Sequence, residues 1–171
     1  EMTSSLVGSE MCIRDRVKKF PNLLVTRTFS KAYGLAGLRA GFGVANKELI
    51  EMMNRIRPPF NMNSAAQAAA VAALEDQAFL KTVVDSNTKE RARLAAFFNE
   101  LGLDQLPSQA NFIMVRVGPK AAEINEAMLR RGVILRPLKS YGLPEYMRIS
   151  VGSREENNIF MKAFREALSV K

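Results

Sequence analysis

The stretch TFSKAYGLAGLRAG, residues 28–41, decides how this chain is read. The apolar run NLLVT at 22–26 leads into it. Hydroxyls follow at Thr28 and Ser30, then Lys31, then Gly34, Gly37 and Gly41 with Arg39 among them. An arginine fork suits a phosphate dianion. The hydroxyls add neutral donors, and glycines let backbone N–H groups approach the same anion. A lysine amine is protonated at neutral pH, and desolvation or a neighbouring cation frees its lone pair for attack on an aldehyde. Lys31 follows a predicted buried strand and has Arg39 eight residues on, so both effects are expected. An isolated Ser-Lys pair would read as a turn with a surface lysine. The whole S-K-x-x-G-L-x-G-x-R-x-G string gives each part a separate chemical role.

The rest of the composition narrows the alternatives. The 171 residues are 47% hydrophobic and 25% charged, ordinary for a globular chain with one sizeable core. Histidine is absent, which excludes a histidine-based triad or metal site, and no Cys/His cluster has zinc spacing. The single Cys12 cannot form an internal disulfide, which fits a reducing, cytoplasmic compartment. No apolar run approaches the roughly 20 residues needed to cross a bilayer, so no membrane association is expected. The net charge is +8. The positive residues are scattered, without a basic run or aromatic-interleaved patch, so an anionic small substrate is expected in place of nucleic acid.

Residues 1–16, EMTSSLVGSEMCIRDR, show no clean helix or strand period. Within them, SLVGSEMCIRDR resembles translated sequencing-adapter sequence, so the stretch is set apart from fold reasoning, and Cys12 with it.

Along the chain, NLLVT reads as a strand covered on both faces in a parallel sheet. RAGFGVA (39–45) reads as a second strand, and Asn46 as the cap of a helix ended by Arg57-Pro58-Pro59. Ser64 is expected to cap an alanine-rich helix. An amphipathic helix then spans 77–101 with apolar Leu80, Val83, Val84, Leu94 and Phe98, and Gly102 stops it. From about Leu103 the pattern is strands and helices of a small α/β domain. NFIMVRV (111–117), VILRP (133–137) and YMRISVG (146–152) are strands, AAEINEAMLRR (121–131) is a helix closed by Gly132, and a Ser153/Glu156 capping box opens the last helix. Alternation places Met147 and Ile149 on one face and Arg148 on the other, where a bidentate arginine suits an anionic group.

The lysine segment resembles that of pyridoxal-phosphate (PLP) aminotransferases of fold type I. Together with RPPFNMNSAAQAAAVAAL (57–74), SQANFIMVRV (108–117) and RPLKSYGLPEYMRISVG (136–152), it resembles the histidinol-phosphate aminotransferases from about Val17 onward. The resemblance covers the C-terminal half or so of that family's length. It implies an α/β fold: 17–90 as part of the large PLP-binding domain, whose sheet is mostly parallel, and 91–171 as the small C-terminal domain. It implies that Lys31 is the Schiff-base lysine and the acid–base group, and that Thr28, Ser30 and Arg39 bind the cofactor phosphate. It implies that Arg148 binds the substrate carboxylate or its counterpart, and that Arg136 and Asn111 lie close to the substrate. A phosphorylated amino substrate, a 2-oxo acid and a homodimer follow from the same resemblance, with the Arg57–Asn63 loop reaching the partner's site. The family's acidic partner of the pyridine nitrogen would fall within 1–16, where no equivalent stands. The chain as written is therefore expected to bind PLP weakly or not at all and not to transaminate. The rivals are an aromatic aminotransferase or threonine-phosphate decarboxylase of the same fold, and a non-catalytic basic module whose anion binding would be steeply salt-dependent and independent of Lys31.

Overall fold

Asparagine caps and proline stops set out the first half of the chain. The computed structural model describes residues 15–169; the expectations for residues 1–14, Cys12 among them, lie outside these. The strand leading into the lysine segment, β1, is Val25–Thr28 and pairs antiparallel with β2, Gly41–Val44. At the end of this ladder Thr28 faces Gly41, where a Cβ would lie 2.7 Å from the Arg27 carbonyl oxygen, so only glycine fits.

This corrects the strand reading of 22–26. The strand starts three residues later than the apolar run, is largely exposed, and lies in a two-stranded ladder. An apolar run reports a tendency to be covered but cannot name its partner strand. The parallel pairing expected there is not formed among the described residues, where both sheets are antiparallel.

Asn46 caps α1, Lys47–Ile56, by accepting from the Leu49 N–H, and Arg57 ends it ahead of Pro58. The next helix, α2, is Ser64–Glu75, but its cap is Asn63, whose side chain accepts from the Ala66 N–H; Ser64 is its first residue. Both side chains can cap, and the backbone of Asn63 is the extended one. Ala66 and Ala70 of α2 are buried with Phe29 and Ala40, and Tyr33, Leu35, Leu38 and Met62 pack against them. Apolar residues within 28–41 thus fasten that loop onto a helix face of alanines small enough to admit it.

The long helix α3, Gln77–Glu100, starts where the Asp76 carboxylate accepts from the Phe79 N–H. It ends in a Schellman turn, with Gly102 donating to Asn99 and Leu103 to Phe98. Two compact units divide between Leu80 and Lys81, inside this helix and ahead of residue 90.

The C-terminal unit is built on an antiparallel sheet in the order β3 (Phe112–Arg116), β5 (Tyr146–Ser150), β4 (Arg136–Pro137). In β3 and β5, burial alternates as expected for a sheet covered on one face. Ile113, Val115, Met147 and Ile149 point into a core with α3, α4 (Ala121–Arg130) and α5 (Arg154–Leu168). Phe97, Phe98, Phe160 and Phe164 close that core with ring centroids 5.2–6.2 Å apart. Each such buried ring contributes about 1.5–3 kcal/mol. Surface ion pairs such as Arg131–Glu166 and Arg165–Glu100 add at most about 1 kcal/mol each, so the apolar core holds this unit together.

The expected strand at 133–137 shrinks to Arg136–Pro137. Val133 donates to Met128 in the turn that closes α4, and Pro137 has no N–H to offer a ladder, which confines it to a short edge. No described helix is long and apolar enough to cross a membrane.

Candidate active site

Six hydroxyl-, amine- or guanidinium-bearing candidates and one amide fall into two clusters, one in each unit. In the N-terminal unit the lysine loop is pinned at its base. Phe29, 4% exposed, donates its N–H to the Ala40 carbonyl and accepts at its own carbonyl from Leu35, drawing both arms of the loop together. Between them Gly34 donates to Lys31 in a tight turn. Thr28 Oγ1 donates to Ser30 Oγ at 2.9 Å and accepts from the Ser30 N–H at 3.0 Å, so the two hydroxyls stand side by side next to Lys31.

Arg39 adopts the left-handed backbone region (φ 54°), which costs a non-glycine residue about 1–2 kcal/mol. Strain of this kind clusters at functional turns. Its guanidinium donates to the Ala36 carbonyl at 3.2 Å. No hydrogen bond joins it to Thr28, Ser30 or Lys31 among the described residues. Lys31 is exposed, so the desolvation expected of it is not supplied by the described residues of this chain. The loop 28–41 nonetheless holds two cations, two adjacent hydroxyls and no carboxylate. That donor set fits a group carrying both a phosphate and an aldehyde.

In the C-terminal unit the structure brings Arg136 and Arg148 together on the open face of the sheet, while Asn111 stands outside the strand, just before β3. Arg136 of β4 and Arg148 of β5 are register partners, with Met114 opposite Arg148 on the other side. The Arg148 guanidinium lies 5.1 Å from the Phe112 ring centroid. Its Nε is buried and has no hydrogen-bond partner, an orphan donor of the kind native proteins rarely leave. Arg136 donates from Nη2 to the Tyr141 hydroxyl at 3.0 Å and sits 5.8 Å from that ring's centroid.

Neither arginine has a carboxylate partner among the described ion pairs. Arg116, on the same strand face as Phe112, is neutralised by Glu145 at 2.7 Å. Two like charges in register without a counter-ion repel, and an anion between them relieves that repulsion. Asn111 precedes β3 and is exposed; its carbonyl accepts from Val151, just past the Arg148 strand. Arg91 and Asn87 of α3 both donate to the Ala110 carbonyl and brace that approach. A hollow of about 360 Å³ between α3 and residues 105–109 is lined in part by Arg91 but by none of the candidate site residues.

Behind the strand of Arg148 lies a polar clamp that sequence reasoning did not find. Asn157 is 2% exposed and donates to Glu90 at 2.9 Å and to the Gly152 carbonyl at 3.0 Å, while accepting from the Gly152 N–H at 3.1 Å. Glu90, 6% exposed, also accepts from Arg93 at 2.6 Å. The Arg93 hydrogen bond holds the Glu90 carboxyl below its ordinary range, with Asn157 helping and burial opposing. The aromatic partners Phe112 and Tyr141 were also missed. Strand alternation puts Phe112 and Arg148 on open faces, but only the β3·β5 register puts them together.

Residues 3–164 match the Aminotransferase class I and II family, a match that begins inside the stretch 1–16 set apart above. The chain is 54% identical over 156 residues to histidinol-phosphate aminotransferase 2 of Ralstonia nicotianae, covering 90% of this chain and 42% of that protein. A crystal structure of histidinol-phosphate aminotransferase from Sinorhizobium meliloti in complex with pyridoxal-5'-phosphate superposes with a TM-score of 0.79 at 34% identity, covering 86% of this chain and 41% of that one. L-threonine-O-3-phosphate decarboxylase from Porphyromonas gingivalis shares the fold at a TM-score of 0.77 and 27% identity, over 91% of this chain and 50% of that one. The chain spans about two fifths of the length of the curated relatives it matches.

Proposed function

We propose that this chain, which belongs to the aminotransferase class I and II family, carries the cofactor-lysine loop and the substrate-anion face of a histidinol-phosphate aminotransferase. The whole protein would exchange an amino group between histidinol phosphate and 2-oxoglutarate, giving imidazole acetol phosphate and glutamate, in histidine biosynthesis. Residues 17–90 belong to its large cofactor-binding domain and 91–171 to its small domain. A cytoplasmic homodimer is the setting this implies, with the Arg57–Asn63 loop reaching toward the partner.

Thr28, Ser30 and Arg39 would hold the phosphate of pyridoxal 5'-phosphate, and Lys31 its aldehyde carbon. When bound, PLP supplies an electron-withdrawing ring that stabilises negative charge at the substrate Cα. The Lys31 amine would carry a proton between the substrate Cα and the cofactor's aldehyde carbon. Arg148 and Arg136 bind the anionic end of the substrate, and Asn111 orients it.

The observation that carries this reading is the pairing of Arg136 with Arg148, two cations in register with no carboxylate between them and one buried donor unused. A phosphorylated amino substrate meets that geometry. The threonine-phosphate decarboxylase alternative rests on the same face, and an aromatic aminotransferase would leave one arginine without a partner.

Borohydride trapping of the full-length protein with PLP tests the lysine role. The pyridoxyl mass is expected on the peptide holding Lys31, and Lys31→Ala should abolish it. A label on another lysine would sink the assignment. In the same preparation, turnover of histidinol phosphate with 2-oxoglutarate is expected. Carbon dioxide release from threonine phosphate in its place would choose the decarboxylase.

A further inference from the structure

We propose that Tyr141 is a positioning residue for the substrate phosphate, holding the Arg136 guanidinium beside Arg148; this rests on reading the two arginines as the substrate-anion receptor. Arg136 stands on an exposed two-residue edge strand and is repelled by Arg148 across the register. A long side chain under those conditions needs a brace, because its free rotamers would otherwise have to be ordered by the ligand itself. A carboxylate would brace it but would also neutralise it, as Glu145 does Arg116. It would then compete with an incoming phosphate. The phenol of Tyr141 accepts one N–H at 3.0 Å without adding charge, and leaves the other guanidinium donors free. The ring adds cation–π attraction at 5.8 Å.

Tyr141 is itself fixed relative to the strand of Arg148. It ends a 3-10 turn over Lys139–Tyr141, and its N–H donates to the Leu138 carbonyl at 2.9 Å. Leu138 is 5% exposed and donates its own N–H to Tyr146, the first residue of β5. The brace is therefore tied to the same strand that carries Arg148. Phe112 supports Arg148 by its ring alone, which leaves the Nε of that arginine without an acceptor. Each cation has an aromatic partner, and only Arg136 has one with an oxygen.

Tyr141→Phe keeps the ring and removes the acceptor; Tyr141→Leu removes both. In the full-length protein, Tyr141→Phe should weaken inorganic phosphate binding about three- to tenfold, the loss of one solvent-exposed hydrogen bond. The KM for histidinol phosphate should rise by a similar factor with kcat within about twofold, and the Arg136 Nε–H resonance should shift. Tyr141→Leu should lose more. Tyr141 is 61% exposed, so the thermal midpoint should not move. Unchanged phosphate affinity, KM and resonance would overturn the proposal, as would a loss that appears only together with a lowered thermal midpoint. Arg148→Lys separates this from the broader reading. If Arg148→Lys leaves phosphate binding intact, the anion-receptor function fails; if it weakens binding while Tyr141→Phe does not, only the brace fails.

Discussion

Glu90 shows how one buried carboxylate can fix a site it never touches. Its partner Asn157 holds both polar groups of the Gly152 backbone, four residues past Arg148. The clamp therefore sets where the arginine strand leaves the sheet. The folded state holds the Glu90 carboxyl below its ordinary value of 4.5, with the Arg93 hydrogen bond as the first cause. The unfolded chain binds the proton more tightly, so this contribution is fully present above that value and is lost as the pH falls below it. Urea midpoints measured at pH 7 and at about pH 3.5 should fall further for the natural chain than for Glu90→Gln, which has no charge to lose. An equal fall in both would mean that Glu90 is not linked to folding. None of this was legible in the sequence. Glu90 and Asn157 are 67 residues apart, with β3, α4, β4 and β5 between them, and their meeting needs α3 and α5 to pack side by side.

Elements were more legible, because their ends depend on chemistry within a few residues. The capping box that opens α5 is formed as read, with Ser153 accepting from the Glu156 N–H and Glu156 from the Ser153 N–H. That second bond lowers the Glu156 pKa. Ser153→Ala should cost about 1 kcal/mol in chemical denaturation, the usual value of a lost N-cap. A change within error would show the cap replaced by water. The Asn46 cap and the stops at Arg57, Gly102 and Gly132 also form where the sequence puts them. Asn63 displaced Ser64 as the cap of α2, since two adjacent side chains could both serve and backbone conformation chose between them. The apolar run before Lys31 misled for a different reason: the partner and direction of a strand are set by pairing, here antiparallel with β2 across the lysine loop, and the composition of the run does not encode them.

At the scale of the whole molecule the two units differ in what holds them. The described core of the C-terminal unit joins three helices and a sheet around four phenylalanines, whereas that of the N-terminal unit gathers Phe29 with three buried alanines. Met52, Ile56, Phe60 and Val71 remain exposed in the N-terminal unit. Amide exchange should therefore be slowest at Ile113, Val115, Met147 and Ile149, and much faster through β1 and β2. Hydrogen-exchange mass spectrometry on this chain checks it, and equal protection in both units would contradict the difference in packing. The exposed Lys31 loop lies in the more weakly packed unit.

By itself the sequence determined the α/β class, the family resemblance and the helix ends. It also placed Arg148 on the open side of its strand. The helix ends and the face of Arg148 depend on spacing of two to four residues, the range over which caps and strand alternation act. Tertiary structure alone decided the register that sets Arg136 against Arg148, the Tyr141 and Phe112 rings that support them, and the exposure of Lys31. The register depends on which strand pairs with which and at what offset, and a one-residue slip would turn Phe112, Arg136 or Arg148 to the opposite face.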